Sequence, residues 1–170
     1  AHTGCGENIR RYADLCREQD LVMTHVLVNP QVDRSRSVDK QETDLAAKVA
    51  PGEVIGIDVD PGQLELARAH AEEAGVQNIR FAQGDVRQLH FDDESFDGVF
   101  THGVIEYLAD PIAAFAEIRR VLKVGGVLGA RHSDWGGFLF APETPKTARF
   151  FELFQQFMRA SGGEPEFGRH

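Results

Sequence analysis

Two acidic residues stand just beyond short apolar segments that have the composition of buried strands. Asp58 directly follows residues 54–57, and Asp85 lies shortly after residues 79–82. A carboxylate at the end of a parallel strand can accept both hydroxyls of a ribose, and a second can accept from the exocyclic amine of a base. The alternative for Asp58, and the better explanation of Asp60, is a cap on the helix that follows. The pattern therefore predicts a ligand with a ribose and a base near Asp58 and Asp85.

Histidines follow two later apolar segments. His102 and Glu106 are four residues apart, a spacing at which two helical side chains can cooperate to deprotonate a hydroxyl. A solvent-exposed polar pair is the alternative. His132, Ser133 and Asp134 follow the later segment, where acid–base chemistry competes with ordinary loop hydrogen bonding. His132 is the candidate base, and the catalytic residues are left unassigned.

Aromatic residues are concentrated after these histidines. Trp135, Phe138 and Phe140 can line an apolar pocket. A second group recurs at helical spacing and comprises Phe150, Phe151, Phe154, Phe157 and Met158. Such a stripe is typical of core or lid packing, and near an acceptor site it suits a lipophilic or aromatic substrate.

Alternating strand and helix patterns run through residues 54–130. Asp60-Pro61 and Asp110-Pro111 each combine a helix cap with a proline at the first helical position. The apolar stripes of the two helices are Leu64, Ala67, Ala71 and Ala74, and Ile112, Phe115, Ile118 and Leu122. The predicted strands are residues 54–57, 79–82, 96–101 and 127–130, with Gly125-Gly126 leading into the last. This order predicts an α/β fold with a mostly parallel sheet.

The first fifty residues are less regular. Residues 7–19 predict a helix, residues 21–28 a strand, and residues 31–42 a polar loop. Residues 45–49 have the pattern of a helix end before Pro51-Gly52.

Length and charge exclude several classes of protein. The 170 residues suit one domain, and a net charge of -9 argues against nonspecific nucleic-acid binding. The apolar runs are too short to span a bilayer, so no membrane partner is predicted. Cys5 and Cys16 are too few for a four-cysteine zinc site, and they favour a cytoplasmic protein without a metal. The ends at Ala1 and His170 indicate a fragment.

Three strings from about residue 44 onward resemble class I S-adenosylmethionine-dependent methyltransferases of the ubiquinone/menaquinone-biosynthesis type. They are GEVIGIDVDPGQLELAR, IRFAQGDVRQLHFDDESFDGVFTHGVIEYL and IRRVLKVGGVLGARH. The resemblance implies a Rossmann-like core and methyl transfer to a small-molecule acceptor. It also implies S-adenosylmethionine contacts from Asp58 to the ribose, Val59 and Val86 to the adenine, Asp85 to its amine, and Thr101 and His102 to the methionine part.

Four features depart from this family. His90 and Val124 stand where the family has prolines, so the backbone φ angle is no longer fixed at these two turns. The family's glycine-rich loop would fall at residues 35–43, yet the sequence has no glycine between Gly6 and Gly52. Glycine lets a backbone approach the cofactor closely, so the cradle is expected to be impaired. The family would also add two more strands after the last one here, which implies a core incomplete at its C-terminus and an exposed sheet edge that favours self-association.

Residues 7–43 resemble a different family, the flavin-dependent oxygenase component of 4-hydroxyphenylacetate 3-monooxygenase. The string THVLVNPQVDR carries the match, and His25 corresponds to a residue at the aromatic substrate. We therefore interpret residues 1–43 as a foreign segment and residues 44–170 as the methyltransferase core. In this chimera, residues 21–28 can replace the central strand, with Asn29 at its end. A non-catalytic fold with weak or no cofactor binding is the alternative to an enzyme, and a small flavin or phenol binder using His25 is a third hypothesis.

Overall fold

A computed structural model describes residues 25–28, 40–139 and 141–167. Its strands are β1 (His25–Val28), β2 (Glu53–Asp58), β3 (Ile79–Gln83), β4 (Phe96–His102) and β5 (Leu122–Arg131). Its α-helices are α1 (Lys40–Val49), α2 (Pro61–Glu73), α3 (Pro111–Val121) and α4 (Pro145–Ala160). Short 3-10 turns lie at Ile105–Tyr107 and Trp135–Gly137. The predicted helix at residues 7–19 lies outside the described residues.

The strands form one parallel sheet in the order β3-β2-β1-β4-β5. β1 is central, pairing with β2 on one side and with β4 on the other. This confirms, for His25–Val28, the prediction that the N-terminal segment supplies the central strand. Residues 21–24 and Asn29 lie outside the described part of the chain. Because all five strands run in one direction, their carboxyl ends share one edge of the sheet.

The two predicted cap-and-proline helix starts are confirmed. The Asp60 side chain accepts from the Gly62 backbone N–H at 2.8 Å at the start of α2. The Asp110 side chain accepts from the Ala113 N–H at 3.0 Å at the start of α3. These carboxylates satisfy backbone donors that have no partner within the helix, and so fix where each helix leaves the sheet.

The buried faces of the helices only partly match the predicted stripes. In α2, Leu64, Ala67 and Ala71 are buried, whereas Ala74 is exposed just beyond the helix. In α3, the buried residues are Ala114, Ile118 and Val121, while Ile112 is 73% exposed and Leu122 already belongs to β5. The predicted stripe was wrong at these positions because two adjacent apolar stripes fit the same period, and only packing selects between them.

α1 begins earlier than predicted. Residues 40–42, expected in a loop, are helical, although the predicted helix end at residues 45–49 is confirmed. The polar first turn does not reveal the helix, which is stabilised by burial of Leu45, Ala46 and Val49. The Asn78 side-chain amide donates to Ala46 O at 2.7 Å and to Gly52 O at 2.8 Å, and so ties α1 to the start of β2.

β5 also begins earlier than predicted and contains Gly125-Gly126. The register of β4 with β5 shifts between the pairs Phe96–Leu122 and Gly98–Val127, so β5 carries extra residues there. A Cβ on Gly126 would lie 3.0 Å from Lys123 O and 3.1 Å from Asp97 O, which explains why a glycine stands at this irregularity.

Candidate functional site

A cavity of about 330 Å³ lies at the carboxyl ends of β2, β3 and β4. It brings together five residues that the sequence analysis assigned to one ligand, namely Asp58, Val59, Asp85, Val86 and Thr101. The rest of its lining is Ile57, Gly84, Arg87, Val99, Phe100, Gly103, Val104, Tyr107 and Leu108. Its volume is near the lower end of the range for small-molecule sites.

Asp58 ends β2 and borders this cavity. Its Oδ1 accepts from the Asp60 N–H at 2.8 Å, so the carboxylate is held by the backbone of the turn that starts α2. Burial raises the pKa of Asp58, while the hydrogen bond from Asp60 opposes that increase. A partly desolvated carboxylate held in this way is a strong acceptor for ligand hydroxyls.

Asp85 lies in the turn after β3 and is held by its neighbour Arg87. Arg87 Nη2 lies 2.6 Å from Asp85 Oδ2, and Arg87 Nε lies 3.0 Å from Oδ1. The Arg87 side chain lowers the pKa of Asp85, so the group is a carboxylate at neutral pH. Sequence reasoning missed Arg87, although an Arg two residues after a turn aspartate is a signal for such a pair.

Val59 and Val86 supply apolar surface to the cavity. Val59 is 62% exposed, and its carbonyl oxygen accepts from Gln83 Nε2 at 2.9 Å, which links the ends of β2 and β3. Val86 is half-buried and packs against the core cluster of Ile55, Ile57 and Leu89. An exposed valine beside a cavity gains free energy if a flat apolar ring covers it.

Thr101 is 3% exposed and its hydroxyl has no hydrogen-bond partner among the described residues. A buried hydroxyl without a partner is costly, and one that faces a cavity is suited to a polar group on a ligand. Thr101 is therefore the residue whose surroundings point most directly to a bound molecule.

His102 is not among the residues that line the cavity. Its Nε2 lies 3.2 Å from Arg131 Nη1 on β5. Burial, with the nearby charges of Arg131 and His132, lowers the pKa of His102 to about 4. The prediction that His102 contacts a cofactor thus receives no support from the cavity.

Tyr107, on the 3-10 turn after β4, lines the cavity and was missed by the sequence analysis. Burial and the neighbouring Glu106 raise the pKa of Tyr107. Gly103, with φ 63°, allows the chain to leave β4 in a left-handed conformation beside the cavity. Glycine directly after a strand was the available signal for this turn.

Glu106 does not form an exposed pair with His102. It is 1% exposed, its Oε1 accepts from the Ser133 N–H at 3.1 Å, and its Oε2 lies 3.8 Å from His132 Nδ1. The helical spacing argument fails because residues 105–107 form a 3-10 turn rather than an α-helix. The structure thus brings Glu106 together with His132, the candidate base.

Trp135, Phe138, Phe151 and Phe154 form an aromatic layer, and Trp135 lies beside the Tyr107 side chain. Trp135 stacks on Phe138 with ring centroids 4.8 Å apart and contacts Phe154 edge-on at 4.7 Å. Along α4, Met158 is buried, whereas Phe150 and Phe157 are 59% and 67% exposed. The stripe is therefore only partly core packing. Phe140 lies outside the described residues.

A larger concave surface, about 890 Å³, lies between α3 and β5, away from the carboxyl ends of β2 and β3. Its lining includes Arg119, Lys123 and Val124, and it holds none of the predicted ligand-binding residues. We assign it to the edge of the sheet rather than to the site. Among the described residues, no helix has the length and apolar character needed to cross a membrane.

A parallel sheet with acidic residues at the ends of its strands defines a Rossmann-like domain with a ligand site at the strand ends. The sequence profile of a methyltransferase domain matches residues 39–130, and the chain therefore belongs to this methyltransferase family.

Curated relatives agree with this assignment, and a solved structure has the same fold. The chain is 35% identical over 131 residues to an uncharacterized methyltransferase of Schizosaccharomyces pombe, covering 71% of this chain and 45% of that protein. It is 40% identical over 84 residues to a demethylmenaquinone methyltransferase of Lactococcus lactis, covering 49% and 33%. A crystal structure of a SAM-dependent methyltransferase from Aquifex aeolicus has the same fold, with a TM-score of 0.58 at 18% identity, covering 94% of this chain and 89% of that one. The chain spans less than half the length of the two curated relatives.

Proposed function

We propose that the cavity at the strand ends binds S-adenosylmethionine and that the domain transfers its methyl group to a small-molecule acceptor. The observation that carries this proposal is the meeting of Asp58, Asp85 and Thr101 in one cavity. The unpartnered Thr101 hydroxyl and the exposed Val59 fit a ligand with both polar and flat apolar parts. When bound, this cofactor would supply a methyl group activated on a sulfonium.

Each of these residues would contact a different part of the cofactor. Asp58 would accept from the ribose hydroxyls, and Asp85 from the amine of the adenine. Val59 and Val86 would cover the faces of the adenine, and Thr101 would bond a polar group of the methionine part. Methyl transfer depends mainly on positioning. No side chain has to act as a nucleophile.

The acceptor proposed here is lipophilic or aromatic. The aromatic layer supports this because one member, Trp135, lies beside Tyr107, which lines the cavity, and packs against Phe138 and Phe154. The similarity to a demethylmenaquinone methyltransferase supports the same class of acceptor. His132, beside the buried Glu106, is the residue we propose as a base if the acceptor has to lose a proton.

The second candidate is a chimeric methyltransferase fold that binds cofactor weakly or not at all. The absence of glycine between Gly6 and Gly52 favours it, because the family's glycine-rich loop would fall there. The proposal that residues 1–43 are foreign, with a monooxygenase-like stretch at residues 7–43, belongs to this candidate. A cytoplasmic location also stays a prediction.

Calorimetric titration with S-adenosylhomocysteine separates the two candidates. We expect micromolar binding by the wild type and a loss of at least about tenfold for Asp58→Ala, because a carboxylate paired to two hydroxyls is lost. Asp60→Asn is the matched control, since it removes a neighbouring charge, keeps the cap and lies outside the cavity lining. No binding by the wild type at millimolar ligand would reject the cofactor site and leave the non-catalytic fold.

We also propose self-association through the edge of β5. The described residues pair β5 on one side only, and Val124 and Leu128 on this strand are 90% and 38% exposed. Light scattering should show dimers that Val124→Lys disrupts, because lysine on an edge strand opposes pairing. A wild type that is monomeric at high concentration would contradict this proposal.

A further inference from the structure

The ion pair between Arg87 and Asp85 stands at one wall of the cavity, and both residues contribute to the lining. Arg87 approaches the carboxylate through three donors. Its backbone N–H lies 2.8 Å from Oδ1, Nε lies 3.0 Å from Oδ1 and 3.2 Å from Oδ2, and Nη2 lies 2.6 Å from Oδ2. Arg87 thus holds both carboxylate oxygens of Asp85, through its backbone N–H and through its guanidinium group.

These contacts set what the carboxylate can still accept. An ionised carboxylate offers about four lone-pair positions, and Arg87 supplies three hydrogens to them, of which the Nε hydrogen is shared between the two oxygens. The position left for a further donor is on Oδ2, because Oδ1 accepts from the backbone and from the shorter Nε contact, whereas Oδ2 has only the longer Nε contact beside its bond from Nη2. Asp85 therefore presents one acceptor in a fixed direction rather than a freely rotating carboxylate.

We propose that Arg87 is a positioning residue that fixes Asp85 as a single oriented acceptor and so makes the site select a 6-amino purine. This inference rests on the proposed cofactor site and adds a residue to it. A 6-amino group can donate to the remaining lone pair of Asp85. A 6-oxo group would instead place an acceptor against the carboxylate, so a hypoxanthine ring is disfavoured.

The geometry favours positioning over competition. In the alternative arrangement, the adenine amine and the Arg87 side chain would compete for the Asp85 carboxylate. The adenine would then have to displace Arg87, and the ion pair would weaken cofactor binding. Displacement would break all three side-chain contacts to form one bond, while the backbone N–H of Arg87 would keep Oδ1 in place. Sharing the carboxylate would cost at most the 3.2 Å contact of Nε with Oδ2 and would keep the other two side-chain bonds.

The test compares two ligands and five variants by calorimetry, and the last two variants are Asp85→Asn alone and Asp85→Asn combined with Arg87→Gln. The ligands are S-adenosylhomocysteine and its deaminated analogue, in which hypoxanthine replaces adenine. Arg87→Gln removes the charge and the fork of donors, and Arg87→Lys keeps the charge alone. Arg80→Gln is the matched control, because Arg80 also forms an exposed ion pair, with Glu53 at 2.9 Å, but lies outside the cavity lining.

We expect Arg87→Gln to bind S-adenosylhomocysteine about fivefold more weakly, the upper range for an exposed ion pair, with Arg87→Lys intermediate. Binding of the deaminated analogue should not fall in either variant, so the preference for the amino purine shrinks. Arg80→Gln should bind both ligands as the wild type does. In Asp85→Asn, adding Arg87→Gln should cause little further loss, since Arg87 acts through Asp85.

Three results would overturn the inference while leaving the cofactor site in place. They are unchanged or tighter binding of S-adenosylhomocysteine by Arg87→Gln, an equal loss for both ligands, and equal binding of both ligands by the wild type. If the wild type binds neither ligand, the proposed function fails and the role of Arg87 fails with it.

Discussion

The buried carboxylate of Glu106 lies 3.8 Å from Nδ1 of His132, and so connects the turn after β4 to the end of β5. Its other oxygen accepts from the Ser133 N–H at 3.1 Å. The segment after α4 closes over this pair, because Glu164 N–H donates to Glu106 O at 2.9 Å and Phe167 contacts the His132 ring edge-on at 5.4 Å. The contact joins two loops that border the proposed acceptor side of the site.

Glu106→Ala should lower the free energy of unfolding by about 3 kcal/mol, because it leaves the Ser133 N–H without its acceptor and opens a void. Glu106→Gln keeps an acceptor oxygen and should cost only about 1 kcal/mol. Urea unfolding measures both. A Gln variant more stable than the wild type would show that His132 does not compensate the buried charge.

Thr101→Val should raise the free energy of unfolding by about 1 kcal/mol, because it removes a buried hydroxyl that has no partner among the described residues. The same change should weaken the binding of S-adenosylhomocysteine, because the Thr101 hydroxyl is proposed to form a hydrogen bond with the ligand. Thr101→Ser, which keeps the hydroxyl, is the control for affinity. Thermal unfolding and calorimetry on the same samples test both effects, and equal affinity of the Val variant would remove Thr101 from the site.

His102 should make the fold less stable at mildly acid pH. Its pKa is about 4 in the folded chain and 6.5 as the reference, so the unfolded chain binds the extra proton first as the pH falls. The stability is therefore fully present above pH 6.5 and is lost between 6.5 and about 4. With solvent screening, we expect a loss of about 1 kcal/mol at pH ~5 relative to pH ~8. His102→Gln should flatten this part of the urea-unfolding pH profile, and an unchanged profile would contradict the prediction.

Of the positively charged residues on the surface of α3, Arg120 should contribute most to the stability of the fold. Its side chain donates to Leu89 O and Phe91 O at 2.8 Å each and also pairs with Asp93 and Glu117, thereby joining α3 to the loop before β4. Arg120→Ala should therefore destabilise the protein far more than Arg119→Ala, which removes an exposed neighbour of equal charge.

The same contact predicts a second acid-sensitive step. Arg120 and the Leu89 N–H hold the pKa of Glu117 at about 2, from 4.5, so its contribution is present above pH 4.5 and lost as the pH falls toward 2. Arg120→Ala should remove most of this step from the pH profile of unfolding. Equal effects of the Arg119 and Arg120 variants would contradict both predictions.

Much of the fold could be predicted because its signals are local. Asp60-Pro61 and Asp110-Pro111 start helices through bonds within a few residues, and the apolar segments of β2 and β4 match the buried strands. The start of α1 at Lys40 could not be predicted, because its first turn is polar and the helix is stabilised by burial of Leu45 and Ala46.

Some residues of the candidate site could likewise be predicted from the sequence, and others could not. Asp58 and Asp85 were predictable because a parallel sheet brings the carboxyl ends of its strands to one edge. The assignment of Glu106 to a surface pair was wrong, because the 3-10 turn at Ile105–Tyr107 aims the side chain inward. Phe150 and Phe157 belong to the same helical stripe as the buried Met158 and yet are exposed. Helical periodicity alone does not show which apolar side chains another element of the fold covers.

The sequence by itself determined the order of strands and helices, the family, and the residues at the ends of β2 and β3, because these depend on periodicity, caps and motif spacing. Only the tertiary structure decided that Arg87 holds Asp85 and that Glu106 meets His132. The reason is physical. These contacts join side chains whose approach depends on packing and local turn geometry, and neither leaves a periodic trace along the chain.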